Sequence, residues 1–111
     1  MGPEPFHPPI FSLDATPGTD GRTTVSVAGE LDLATADEFA AAVRTALATG
    51  NVLIDLGEVV FMDSAGVRAL NAALRESSET GRELRVARGM HPNVVQMLEL
   101  TGMLALLPVA E

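Results

Sequence analysis

Cysteine is absent from this 111-residue chain, and so are tryptophan and tyrosine. Without cysteine there are no disulfides, no thiolate zinc sites and no thiol catalysis. The missing thiols are compatible with the cytosol. Aromatic residues make up only 4% of the chain, all of them Phe, so stacking on nucleic-acid bases has little to work with. Basic residues are also few: seven against fifteen acids, for a formal charge of −8. Phosphate backbones are held by clustered Lys and Arg, so the balance argues against DNA or RNA as partner, and against docking on anionic lipid. It suits a soluble protein, or one that meets a basic surface on a partner protein. No apolar run approaches the ~20 residues of a membrane span. The start "MGPEPFHPP" lacks the basic residues and apolar centre of a signal peptide, and Phe6 stands where a myristoylation pattern wants Ser or Thr. A cytoplasmic location is expected.

What is there is apolar. Some 47% of residues are hydrophobic, enough for one compact domain with a core of Leu, Val, Ala, Met and Phe. Residues 1–9 hold four of the seven prolines and read as a loose lead-in to a domain over 10–111. "IFSLDA" reads as a short strand and "TPGTDG" at 16–21 as a turn. In "RTTVSVAGEL", Val25, Val27 and Gly29 alternate with Thr24, Ser26 and Ala28, so a β-hairpin is expected.

Thr35 followed by Glu38 has the capping-box form and predicts a helix start. Phe39, Val43 and Leu47 give that helix a buried stripe, and Gly50 sits where a left-handed residue would stop it. "NVLIDL" is nearly continuous in apolar residues and predicts a strand covered on both faces, with "VVFM" at 59–62 extending its path. Val67, Leu70, Ala73 and Leu74 mark a second helix closed by Gly81. "ELRVAR" predicts another strand. His91-Pro92 opens a third helix with Val94, Val95, Leu98 and Thr101 on one face and Gly102 at its end. "MLALLPVAE" fits a terminal strand or a short helix. The order β-β-α-β-α-β-α plus a short tail predicts an α/β domain whose small sheet has parallel neighbours.

The chemistry concentrates at Met62-Asp63-Ser64-Ala65-Gly66, where a strand hands over to a helix. Ser64 has three readings. It can cap the helix through its own oxygen, worth ~1 kcal/mol. It can accept a phosphate, whose ~−2 charge is favourable beside the unpaired N–H groups and dipole of a helix start. It can be a nucleophile, which needs a base; only His7 and His91 are present, and Met62 occupies the first Gly of the nucleophile-elbow pattern. Asp63 can orient the hydroxyl, meet a basic group of a partner, or act as a second cap. Gly66 lets backbone approach closely.

Other candidates are weaker. Glu30 and Asp32 form a solvated acidic loop rather than an acid/base pair, because no sugar cleft or defined separation is visible. His91 reads as a helix cap or an exposed residue, and the Met residues as core filler. No ligand cluster for a metal appears, and no cofactor is implied.

With these residues in hand, the chain resembles the STAS-domain family, and within it the bacterial anti-sigma factor antagonists. The resemblance rests on "GELD" at 29–32, "TADEF" at 35–39, "DLGEVVFMDSAGVRAL" at 55–70 and "HPNVVQMLELTGM" at 91–103, together spanning most of residues 23–104. It implies a single small STAS-type domain, a mixed sheet of about four to five strands with helices packed on one side. It implies a non-enzymatic role. The unphosphorylated antagonist binds an anti-sigma factor that is also a serine kinase, and so frees the sigma factor. The kinase then phosphorylates a Ser at the motif's helix start, and a phosphatase reverses this. The phosphoacceptor maps onto Ser64, with Asp63, Ala65 and Gly66 beside it. Asp32 aligns with the acid of the "GELD" loop, and with Glu30 it is expected at the partner surface. Arg68 stands where many members carry a small residue, which bears on partner choice or on contact with a phosphate. The alternative is a STAS subunit of another assembly, such as a lipid-transport or stressosome-like complex, without sigma-factor control.

Overall fold

The structure is a computed structural model that describes residues 10–110. The proline-rich lead-in expected over residues 1–9 lies outside the described residues. Four strands and three helices follow in the order β1 (Ser12–Pro17), β2 (Thr23–Leu31), α1 (Ala36–Leu47), β3 (Val52–Met62), α2 (Ser64–Thr80), β4 (Leu84–Val86) and α3 (Pro92–Leu100), then a 3-10 turn at Leu104–Leu106. The strands form one sheet in the order β1-β2-β3-β4. The β1–β2 pair is antiparallel, while β2–β3 and β3–β4 are parallel. The expected α/β domain with a mixed sheet is therefore present.

Alternation builds the hairpin. Val25, Val27 and Gly29 of β2 face the core, and Thr24, Ser26 and Ala28 lie half-buried on the other face. β1 starts and ends two residues later than expected. Pro17 still pairs with Thr23 because β1 is an edge strand, where a missing N–H is tolerated.

β3 does not conform to a strand covered on both faces. Its buried residues are Val52, Ile54, Leu56, Val59 and Met62, whereas Leu53 and Asp55 are half-buried and Gly57 and Glu58 exposed. The two three-residue steps in that series coincide with two register shifts against β2. At each, β3 carries one extra residue, so the core face changes parity and yet stays continuous. Asp55 supports the first bulge by accepting a hydrogen bond from the Gly57 N–H at 2.9 Å.

The helix stripes fall where the 3.6-residue spacing puts them. Phe39, Val43 and Leu47 of α1, Val67, Leu70 and Ala73 of α2, and Val94 and Leu98 of α3 are all buried in one cluster with the core face of the sheet. Ala36 and Ala46 of α1 and Ala65 and Ala69 of α2 are buried too. Ala36, Ala65 and Ala69 line one groove between α1 and α2, whereas Ala46 lies on the side of α1 that faces β1 and the start of β2.

Two details depart from the sequence reading. Thr35 makes no side-chain cap for α1. Its hydroxyl instead accepts from the Asp32 N–H at 2.9 Å and donates to the Glu30 carbonyl at 2.9 Å, while the Ala36 N–H donates to the Asp32 carbonyl at 2.8 Å. Gly50 is not left-handed; α1 ends through Ala48 in right-handed geometry. What Gly50 supplies is room, since a Cβ there would lie 2.6 Å from the Gly21 carbonyl oxygen. The tail uses both of its options: the 3-10 turn at Leu104–Leu106, then a parallel bridge from Val109 to Val86. Gly81 does close α2, in left-handed geometry with φ 72°.

Candidate functional site

Parallel strands joined by helices bring their carboxyl ends to one edge, and the connections leaving those ends form a common surface. Here Glu30 pairs with Phe61 and Leu31 with Met62, so β2 and β3 finish side by side. The Asp63 N–H donates to the Leu31 carbonyl at 3.3 Å. The β2–α1 loop, holding Asp32, thus adjoins the β3–α2 junction, holding Asp63 and Ser64.

The residue that caps α2 is Asp63, not Ser64. Asp63 is extended, with φ −108° and ψ −170°, and its Oδ1 accepts from the Ala65 N–H at 2.8 Å and the Gly66 N–H at 3.4 Å. Ser64 is the first residue of the helix proper. It is exposed, and among the described residues no hydrogen bond engages its hydroxyl. Two of the helix-start donors expected to receive a phosphate therefore already serve a carboxylate.

Gly66 is buried beneath this surface. A Cβ on it would stand 2.7 Å from the Leu31 carbonyl oxygen and 2.7 Å from the Met62 Cγ. The close approach read from the motif is thus the contact of α2 with the ends of β2 and β3. Ala65 is buried as well, so Ala65 and Gly66 underlie the surface and do not project from it. Glu30, Asp32 and Asp63 are half-buried, and Arg68 is exposed. Asp32 is held by its own loop: its Oδ1 accepts from the Ala34 N–H at 3.0 Å.

Two apolar residues of this region were passed over in the sequence. Leu33 is 76% exposed at the tip of the β2–α1 loop, and Phe61 is 43% exposed near the end of β3. Leu33 lines a shallow groove between α1 and α2 with Asp37, Ala40, Arg68 and Ala72. The available signal was an apolar residue outside both the strand alternation and the helix stripe.

The remaining candidates are placed elsewhere. His91 caps α3, its Nδ1 accepting from the Asn93 N–H at 3.0 Å. Met62 and Met103 are buried in the core, and Met90 and Met97 pack against it. Among the described residues no group of three or more His, Asp or Glu could hold a metal ion, and no helix is long and apolar enough to cross a membrane.

Comparisons with known proteins bear on the family and the fold. The family model described as "Mlab, STAS domain" matches residues 15–108, so the chain belongs to the STAS-domain family. It is similar to an anti-sigma factor antagonist from Mycobacterium paratuberculosis, with 30% identity over 91% of this chain and 84% of that one, and a TM-score of 0.71. Two structures of SpoIIAA share the fold. The unphosphorylated anti-sigma factor antagonist matches at 22% identity over 92% of this chain and 89% of that one, with a TM-score of 0.70. The phosphorylated Bacillus cell fate determinant matches at 19% identity over 90% and 92%, with a TM-score of 0.67. No curated protein matches the chain.

Proposed function

We propose that this chain is an anti-sigma factor antagonist whose unphosphorylated form binds an anti-sigma factor with serine kinase activity and releases the sigma factor. Phosphorylation of Ser64 switches it off, and a phosphatase restores it. The observation that carries the reading is the placement of Ser64: an exposed hydroxyl at the first position of α2, beside the acidic β2–α1 loop. The likeness to the mycobacterial antagonist supports the role, and the two phosphorylation states named for SpoIIAA support the switch.

The docking face is formed by Glu30, Asp32, Asp63, Ser64 and Arg68, held up from below by Ala65 and Gly66. Its three carboxylates suit a basic partner surface. A phosphate on Ser64 adds about two negative charges and bulk where the partner packs. A loss of about 3–4 kcal/mol would weaken binding several-hundred-fold. The reaction belongs to the partner kinase; this chain supplies the acceptor oxygen and works without a cofactor, in the cytoplasm.

The test is incubation with the candidate anti-sigma kinase and ATP, mass spectrometry of Ser64, and a pull-down of modified and unmodified chains. Phosphate on Ser64 with loss of binding is the expected result. Equal binding by the phosphorylated chain and by Ser64→Asp would overturn the switch.

One observation favours a second reading. The matching family model is described by Mlab and not by an antagonist. In that case the same face serves as a protein-binding module in a different complex, lipid-transport or stressosome-like, without sigma-factor control. Stable binding to such a complex, with Ser64 left unmodified by the kinase, distinguishes it.

A further inference from the structure

A phosphate on Ser64 raises a question of charge, and the answer rests on the phosphoacceptor reading above. The modified side chain would emerge next to the Asp63 carboxylate, with Asp32 in the adjoining loop and Asp37 on the facing helix. The Ala65 and Gly66 N–H groups, the natural anion donors of a helix start, already donate to Asp63 Oδ1. With those two donors engaged, a cation of the chain is what can balance the dianion.

All seven basic residues are arginines. Five lie toward the opposite end of the sheet or farther along the helices, and the sixth, Arg88, follows the carboxyl end of β4 but is engaged by the tail. Arg22 precedes Thr23, which pairs with Val52 at the start of β3; Arg82 and Arg85 flank Leu84, which pairs with the same Val52. Arg44 lies in the last turn of α1, and Arg75 lies about two turns beyond Arg68 on α2. Arg88 donates through Nε to the Ala110 carbonyl at 3.0 Å. Arg68 alone stands one helical turn from Ser64.

Its placement is favourable. Positions i and i+4 lie on one face, with Cβ atoms about 6 Å apart. Side chains on a helix tilt toward its N-terminus, so Arg68 leans toward Ser64. Both residues are exposed. Ion pairs among the described residues join Arg22 to Asp20 and Arg85 to Glu83, and neither takes Arg68.

We propose that Arg68 is the counter-ion in cis for a phosphate on Ser64, its guanidinium forking onto two phosphate oxygens and holding the group against α2. Arg68 then has two states of use. In the unmodified chain it belongs to the docking face, beside Leu33 and Asp37. In the modified chain it is withdrawn to the phosphate. Modification thus removes a partner contact as well as adding repulsion.

The test requires no kinase, so it stands apart from the fate of the antagonist reading. Phosphoserine is incorporated co-translationally at position 64 of the full chain, and its phosphorus resonance is titrated between pH 4 and 9. A neighbouring guanidinium favours the dianion, so Arg68→Ala should raise the second phosphate pKa by about half a pH unit. Arg68→Lys should recover part of the shift, since it keeps the charge and loses the fork. Arg75→Ala should leave the titration unchanged. Identical titration curves for the parent chain and Arg68→Ala would overturn the proposal. A normal Arg68 effect in a chain that the kinase never modifies would leave the clamp standing and count against the antagonist reading alone.

Discussion

Replacing Gly66 by alanine drives a Cβ to within 2.7 Å of the Leu31 carbonyl oxygen, which is backbone and has nowhere to go. Gly66→Ala should therefore destabilise the fold by about 1–3 kcal/mol, read as a lower urea midpoint at unchanged slope. Asp63→Ala removes the acceptor for two N–H groups of α2 and should cost about 1 kcal/mol in thermal or urea unfolding, with Asp63→Asn much milder. At this scale the sequence was half legible. The pair Asp63-Ser64 announces a helix start, but both residues are good caps, and adjacency alone does not say which is extended and which is already helical. Thr35 and Glu38 show the same limit. Their spacing matches a capping box, yet the Thr35 hydroxyl is claimed by the Glu30 carbonyl and the Asp32 N–H, groups whose positions depend on where β2 ends.

At the scale of elements, periodicity carried most of the information. Every apolar position at helical spacing in α1 is buried, and Phe39 is fully enclosed. Phe39→Ala should cost about 3–5 kcal/mol, measured by urea unfolding. β3 was harder to read, because a strand with two bulges and a continuous apolar strand look alike along the chain. Val52, Ile54 and Leu56 keep one parity, Val59 takes the other and Met62 returns to the first; only pairing with β2 makes sense of that order. Deleting Gly57 removes one parity change. Val59 and Met62 should then turn toward solvent, with a loss of about 3 kcal/mol or more and a broadened unfolding transition.

At the scale of the whole molecule, the two ends of the sheet are matched differently in charge. Glu30, Asp32 and Asp63 gather where β2 and β3 finish, while at the paired starts of β2, β3 and β4 Arg22 is ion-paired with Asp20 and Arg85 with Glu83. If the acidic face recruits a basic partner as proposed, binding should be sensitive to salt. Raising NaCl from 50 to 300 mM should weaken the proposed complex with an anti-sigma kinase by about tenfold, mainly through slower association, as stopped-flow mixing would show. This difference was not visible in composition, since a net charge has no direction until the chain is folded.

The division of labour between Asp63 and its neighbour has a consequence for the life of the molecule. Because the aspartate secures α2, the alcohol beside it is free of structural duty, and Ser64→Ala should unfold within about 0.5 kcal/mol of the parent chain while losing its response to kinase and ATP. Under the proposed switch, a mark would be written on that oxygen and erased many times over, each round performed on a chain that never has to open.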